Sequence, residues 1–385
     1  MTAPHVLVVG CGVVGAMAAW RLALAGARVT VFEQFQLDHS KGSSHGESRI
    51  VRNAYPEPFY TGLMRRAWAL WDEFCDANPT EELLVRCGGI TLGPRDHSEV
   101  RSTTAALAAN GVQHEVWDSR AAMARYPLFH LDRDEVAVYD AEMGFVRASA
   151  CVRAAKACAT ALGAKFVFGA RVDSVAAARG GVRAEVYGQQ HIGDAAILAP
   201  GPWLQPLLNR AGQSAPVRVT RQVIAYCAHS RYQHACGPDE FPVWIDAATH
   251  FYGFPHITHP GLKVAHHRFG EVADADSVYR RTTRNDLKPL AAYISRRLTG
   301  FTPVSGSGGV CLYTVTPDAD FIADGLPGVP RAFVIGGLSG HGFKFAPLLG
   351  ELAACRALDK PLPCDVERFR LSRFATSPAM AGTPA

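Results

Sequence analysis

The sequence predicts an α/β plus mixed-β protein in two parts. One is a doubly wound parallel sheet assembled from separated stretches of chain. The other is built on a mixed or antiparallel sheet. Three observations carry this expectation. The chain opens with a strand, a glycine-rich turn, a helix and a second strand within about 30 residues, the dimensions of one βαβ unit. Ala195 to Leu198 and Phe333 to Ile335 repeat the composition of the first strand far downstream, each with glycine close behind. Between these returns lie runs with alternating character, which suit strands exposed on one face.

Taken in order, Val6-Leu7-Val8-Val9 is a continuous apolar, β-branched run, as expected of a strand buried on both faces. Gly15 to Ala25 is rich in Ala, Leu, Met and Trp without proline, and Gly26 ends it as a helix. Arg28 to Phe32 is the second strand, placed beside the first by a right-handed crossover. Tyr60 to Cys75 is an amphipathic helix whose Met64, Ala67, Trp68, Trp71 and Phe74 recur on one face, which makes them core. Gln222 to Ala228 and Leu262 to Phe269 supply the second sheet, and Ala346 to Ala357 is helical. The tail beyond Phe374, rich in Ala, Pro, Gly, Ser and Thr, is expected to be disordered. At 385 residues the chain exceeds one ordinary core. The expected division is 1–85, 146–215 and 308–385 for the nucleotide part, and 86–145 and 216–307 for the other.

Composition excludes several classes. With 48% hydrophobic and 19% charged residues this is an ordered globular chain. A net charge of +4 without a polybasic run argues against nucleic acid and a membrane surface, and suits small anionic ligands. No apolar stretch has the length of a membrane span, and the N-terminal apolar run is too short for a secretory leader. Ten cysteines without C-x-x-C or zinc-ligand spacing are expected to be free thiols in the cytoplasm, with no metal site.

The chemistry begins at Gly10-Cys11-Gly12-Val13-Val14-Gly15, which follows the first strand and opens the helix. Gly10 permits the tight turn, Gly12 lets the backbone approach a pyrophosphate, and Gly15 lets helix and strand pack closely. Val13 and Val14 lie at the helix N-terminus, whose dipole favours phosphate. Glu33 closes the second strand, where a carboxylate accepts hydrogen bonds from ribose hydroxyls. Together these define a Rossmann-type site for an adenine dinucleotide, with FAD and NAD both open.

Three further constellations stand out. Gly42 to Arg52 is a polar, glycine-punctuated loop carrying Arg49 and Arg52, either a solvated arginine pair or a bidentate carboxylate clamp. Lys263 and His267 are separated by an even number within an alternating run, so a strand through both puts them on one face. Lys263 is then either a surface residue or a buried ammonium near a redox centre. Gly336 to Phe345 follows a buried strand, and its glycines imply close backbone approach to something flat or large.

These residues resemble the monomeric sarcosine oxidase and N-methyltryptophan oxidase family of flavin-dependent amine oxidases, within the D-amino acid oxidase-like superfamily. The resemblance runs through the N-terminal nucleotide fold, His45-Gly46-Glu47-Ser48-Arg49-Ile50-Val51-Arg52, Phe251-Tyr252-Gly253-Phe254-Pro255, Gly261-Leu262-Lys263, Cys311-Leu312-Tyr313-Thr314, and Ser339-Gly340-His341-Gly342-Phe343-Lys344-Phe345. The ending Phe369 to Phe374 is most similar to the N-methyltryptophan oxidase branch. What the resemblance implies is FAD joined through a thioether to Cys311, with no metal. It implies a substrate carboxylate bound by Arg52 and Lys344, oxygen activation by Lys263, and Tyr252 and His267 lining the substrate site. Arg49 and His45 are implied to lie against the flavin. Ser43, Val172, Gly201, Gly340, Gly342 and Phe343 complete the implied cofactor contacts.

The implied reaction oxidises the C–N bond of a small amino acid, most readily an N-methyl amino acid, in a monomer that passes electrons to oxygen and releases hydrogen peroxide. Oxidation of a cyclic secondary amino acid, a dehydrogenase with another acceptor, and an NAD-dependent dehydrogenase are the alternatives. Departures from the family pattern are the prolines of Ala199-Pro200-Gly201-Pro202-Trp203, Ser44 in place of a second histidine, and Glu47 and Ser48 in place of Asp and Thr. Trp244 is read as core rather than pocket wall.

Overall fold

The computed structural model describes residues 3–229, 236–259, 261–267, 270–304 and 306–374. The tail expected to be disordered, and Arg268 and Phe269 of the expected strand, lie outside the described residues.

The apolar runs of the N-terminal unit become the strand His5–Val9, the helix Val13–Leu24 and the strand Arg28–Glu33. The helix starts two residues earlier than the composition suggested, because Gly12 is extended and the following N–H groups already belong to the first turn. Gly26, at φ +84°, turns the chain out of it. Among the described residues the sheet has six strands, in the order Ile322–Gly325, Ala332–Gly336, Ala195–Leu198, His5–Val9, Arg28–Glu33 and Lys165–Phe168. All neighbours are parallel except the antiparallel edge formed by Ile322–Gly325. The strands expected near 195 and 333 therefore return to the first strand. The helices Ala148–Ala161 and Ala346–Ala357 pack on Val13–Leu24. Gly350 sits so close to Met17 that a Cβ would come within 2.7 Å of its Cβ, which fixes how tightly two of these helices meet.

The second sheet runs Glu271–Val272, Arg218–His229, Leu262–His266, Phe251–Phe254, Val243–Asp246, Gly89–Pro94, Glu135–Asp140, Glu115–Asp118, with Phe301–Pro303 and Gly309–Val315 also bonded to the long Arg218–His229 strand. It is mixed, as expected: Val243–Asp246 runs parallel to Gly89–Pro94, and the other pairs are antiparallel. Gly309–Val315 belongs to this sheet although the sequence-based division places it beyond residue 307. Its side chains alternate between the two parts of the molecule, so composition cannot assign it to either.

Alternation across this sheet decides where chemistry sits. Leu262, Val264, Ala225, Cys227 and Phe251 belong to an apolar cluster with Leu290, Tyr293 and Ile294 of the helix Arg284–Arg297. Trp244 is fully buried in that cluster, edge-on to Phe129, so it is core. Burying the helix also buries Arg297, whose guanidinium donates to Glu135 at 2.6 and 2.8 Å and to Asp246 at 2.8 Å, all three residues being nearly inaccessible. The opposite face carries the other parity, and it forms the floor of the site.

Candidate active site

Two adjoining cavities occupy the seam between the sheets. The first runs along the carboxyl ends of the parallel strands and is lined by Gly10, Gly12, Val13, Val14, Glu33, Ser43, His45, Arg49, Val172, Gly201, Gly340, Gly342 and Phe343. All are positions expected to face the cofactor. Gly15 is not a lining residue. It is a packing residue, since a Cβ there would collide with the carbonyl oxygen of Gly10. Gly10 has φ +96°, and a Cβ on Gly12 would come within 3.1 Å of Ser44 Oγ, so the turn has no room for larger residues.

Glu33 accepts from Cys11 N–H at 2.7 Å and Phe35 N–H at 3.0 Å, which fixes its buried carboxylate in the cleft. Ser44 Oγ accepts from Val13 N–H at 3.0 Å and ties the polar loop to the helix N-terminus. Burial, assisted by Arg49, pushes His45 down to about 3, so its ring is neutral. Its Nε2 is buried without a hydrogen-bond partner among the described residues, as is Thr314 Oγ1, which also lines the cleft. Buried polar atoms left open at a glycine-walled cleft fit a bound dinucleotide that completes them.

The loop from Ser43 to Arg49 owes its shape to Arg49, whose guanidinium donates to the carbonyls of Ser48 at 2.7 Å, Ser43 at 2.9 Å and His45 at 2.7 Å. Arg49 is therefore engaged within its own loop. Arg52, the other arginine of the segment, lines the second cavity with its guanidinium 4.5 Å from the Tyr55 ring centroid.

The second cavity, of about 780 Å³, continues from the first past His45, Arg49 and Gly340. Register explains its floor. Tyr252 is paired with Ala265 and Phe254 with Lys263, while across the next strands Ile224 is paired with Ala265, Tyr226 with Lys263 and Gln222 with Cys311. Paired residues share a face, so Tyr252, Lys263, Tyr226, Gln222, Cys311 and Tyr313 all line the cavity. The strand ends at His266, one residue short of His267. His267 N–H donates to the His250 carbonyl at 2.8 Å, in register with the ladder, and His267 lines the cavity with its ring 5.6 Å from Tyr313.

Lys263 is a buried ammonium and not a surface residue. It is 4% exposed, donates to Ser48 O at 3.0 Å and Ser48 Oγ at 3.2 Å, and lies 4.5 Å from the Phe254 ring centroid. Burial, reinforced by Arg49, brings it down to about 7, so it changes charge near neutral pH. Tyr252 hydroxyl lies 3.3 Å from that of Tyr313, and burial raises both phenols.

At the other end, Lys344 donates to Tyr55 hydroxyl and to the His341 carbonyl, both at 3.0 Å. Burial, reinforced by the nearby Arg52, holds it well below the ordinary lysine range. Arg52 and Lys344 thus meet beside Tyr55, far apart in sequence. Tyr55, Tyr313, His341 and Gln222 were missed as individual site residues. Tyr313 carried a legible signal, its even separation from Cys311 on one strand. The others carried none, because each reaches the cavity from a loop or through pairing with a distant strand.

This is the fold of a flavin-type amino-acid oxidase, and the chain belongs to the DAO family, FAD dependent oxidoreductase, whose sequence pattern matches residues 5–356. It is 32% identical over 372 residues to the N-methyl-L-tryptophan oxidase of Yersinia pestis, covering 96% of this chain and 98% of that protein. Among solved structures it is similar to NikD, an unusual amino acid oxidase essential for nikkomycin biosynthesis, with a TM-score of 0.83 at 22% identity over 96% of this chain and 98% of that one. It is equally similar to L-proline dehydrogenase from P. horikoshii, with a TM-score of 0.83 at 19% identity, covering 97% and 98%. Among the described residues no helix is long and apolar enough to cross a membrane.

Proposed function

We propose that this chain oxidises the C–N bond of a small amino acid, most readily an N-methyl amino acid, and delivers the electrons to oxygen. For an N-methyl substrate the balance is one amine, one oxygen and one water to one demethylated amino acid, one formaldehyde and one hydrogen peroxide. The observation that carries the reading is the cavity of about 780 Å³ with Arg52 and Lys344 at one end, Lys263 on its floor and Cys311 lining it one residue before Leu312, which lines the nucleotide cleft. FAD, when bound, supplies the two-electron chemistry and is attached through Cys311 in this proposal.

The residues of the chain bind, orient and exclude water. Arg52 and Lys344 hold the substrate carboxylate, the arginine by parallel hydrogen bonds and the lysine as a point charge. Tyr252 and His267 flank the amine. The buried ammonium of Lys263 favours negative charge developing on oxygen, which is electrostatic stabilisation in a dry site. His45, being neutral, and Arg49, engaged with its own loop, shape the wall between the cavities. The same reading makes the enzyme a metal-free cytoplasmic monomer, with 1–85, 146–215 and 308–385 serving the cofactor and 86–145 and 216–307 the substrate.

The test is oxygen consumption by the purified yellow protein with N-methyl-L-tryptophan, sarcosine, L-proline and L-pipecolate, with peroxide and formaldehyde measured together. Equal peroxide and formaldehyde from an N-methyl amino acid is the expected result. Peroxide only with the cyclic amino acids redirects the reading to ring oxidation. Reduction of the flavin without oxygen uptake makes the chain a dehydrogenase.

A further inference from the structure

Lys344, which lines the carboxylate end of the cavity, also begins a hydrogen-bonded chain through Tyr55 to His341 along the cavity wall. Lys344 Nζ donates to Tyr55 hydroxyl at 3.0 Å, and that hydroxyl lies 3.2 Å from His341 Nδ1. The other ring nitrogen, Nε2, lies 3.0 Å from the carbonyl oxygen of Ala319. A carbonyl only accepts, so Nε2 carries the hydrogen and the neutral ring takes Tyr55 O–H at Nδ1. Every junction therefore has a defined donor and acceptor. The chain runs from a buried amine, 6% exposed, to a half-buried imidazole, and both line the cavity.

We propose that Tyr55 and His341 are a proton relay that charges Lys344 when an anionic ligand enters. This rests on the reading of Arg52 and Lys344 as a carboxylate clamp and adds what that clamp requires. Burial beside a guanidinium holds the amine well below the ordinary lysine range, so an arriving anion that offsets the Arg52 charge favours its cationic form. The proton must then reach a group with little access to water. A proton from solvent makes His341 an imidazolium. Its Nδ1–H bond breaks as a Tyr55 O–H bond forms, while the original Tyr55 O–H bond breaks and a Lys344 N–H bond forms. The positive charge has moved from imidazole to ammonium, and Tyr55 and His341 end neutral, in the arrangement observed. Physiological pH suits histidine as the entry point.

Arg52 lies over the Tyr55 ring. From the helix Pro58–Asp76, Tyr60 presents its ring edge to His341 at 5.1 Å but donates its hydroxyl to Asp320 at 2.7 Å. Asp320 is further paired with Arg368 at 2.6 Å. Phe321 and Phe345 supply apolar walls. Asp320 is thus committed to Tyr60 and Arg368.

The experiment measures binding of acetate, and of uncharged acetamide as its control, to the flavin-loaded protein by stopped flow with a pH-indicator dye. In the wild type, acetate binding should take up protons from solution and acetamide binding should not. In Tyr55→Phe and His341→Gln, acetate-linked proton uptake should slow roughly a hundredfold, the loss expected when a positioned proton-transfer group is removed, while acetamide binding keeps its rate. His341→Gln can still accept from Tyr55 but carries no proton, so it separates relay from packing. Unchanged uptake rates in both variants would overturn the relay. Lys344→Met tests the underlying clamp separately: if it binds acetate as tightly as the wild type, the clamp reading itself has failed, whatever the relay variants do.

Discussion

Replacing Lys263 by methionine removes an ammonium from a site that is 4% exposed. Unfolded, this lysine keeps its proton up to about its ordinary 10.5; folded, it yields it near 7. Between these values the unfolded chain binds more protons, so the stability of the FAD-free protein rises with pH across that window. Below it the charged lysine costs at most about 5 kcal/mol. Methionine escapes that cost but forfeits the two hydrogen bonds to Ser48, worth together about 2–3 kcal/mol. The variant should therefore be more stable by up to about 2–3 kcal/mol at pH 6, with the advantage vanishing or reversing as pH rises toward 10. Urea unfolding at pH 6 and pH 9 measures this. In the flavin-loaded enzyme the same substitution should slow reaction with oxygen by about 10²–10³-fold, and should remove the gain in oxygen rate expected as wild-type Lys263 is protonated below about pH 7. A variant that keeps its oxygen rate, or one that is less stable at pH 6, refutes the reasoning.

The remaining predictions are more local. Arg297→Met should destabilise the protein by about 3–5 kcal/mol in urea unfolding, because it strands the buried carboxylates of Glu135 and Asp246; wild-type stability would show that these carboxylates find other partners. Cys311→Ala should release its yellow colour into the supernatant after acid precipitation, whereas the wild type keeps colour in the pellet, and colour released from both would remove the covalent link. Gly15→Ala, whose Cβ would collide with the Gly10 carbonyl, should purify with less than about a tenth of the wild-type flavin content, read from the visible spectrum; full occupancy would mean that helix and strand can separate without loss of the cleft.

The readable features were those with local causes. The glycines of the first turn and the apolar strand before them can be recognised because their spacing alone satisfies a backbone requirement. The Ala346–Ala357 helix was placed correctly because composition along one helix is a local property. Lys263 was legible only as one of two possibilities. Nothing adjacent in sequence distinguishes a solvated lysine from one covered by Phe254 and Ser48. Its strand ends at His266, but the bond from His267 N–H to the His250 carbonyl continues the same antiparallel register, so Lys263 and His267 both face the cavity as their even separation predicts.

Which residues meet was decided by pairing and packing. The chain by itself determined the βαβ cleft and the acidic residue Glu33 that closes it, the parity that puts chemistry and core on opposite faces of each strand, and the motifs that identify the family. Tertiary structure decided that Arg49 holds its own loop while Arg52 faces the cavity, that Lys344 joins Tyr55 and His341, and that Cys311 stands on the same face as Lys263. The physical reason is that backbone conformation and side-chain parity follow from neighbours a few residues away. Burial and hydrogen-bond partners depend on the register between strands separated by tens to hundreds of residues, which no local pattern encodes.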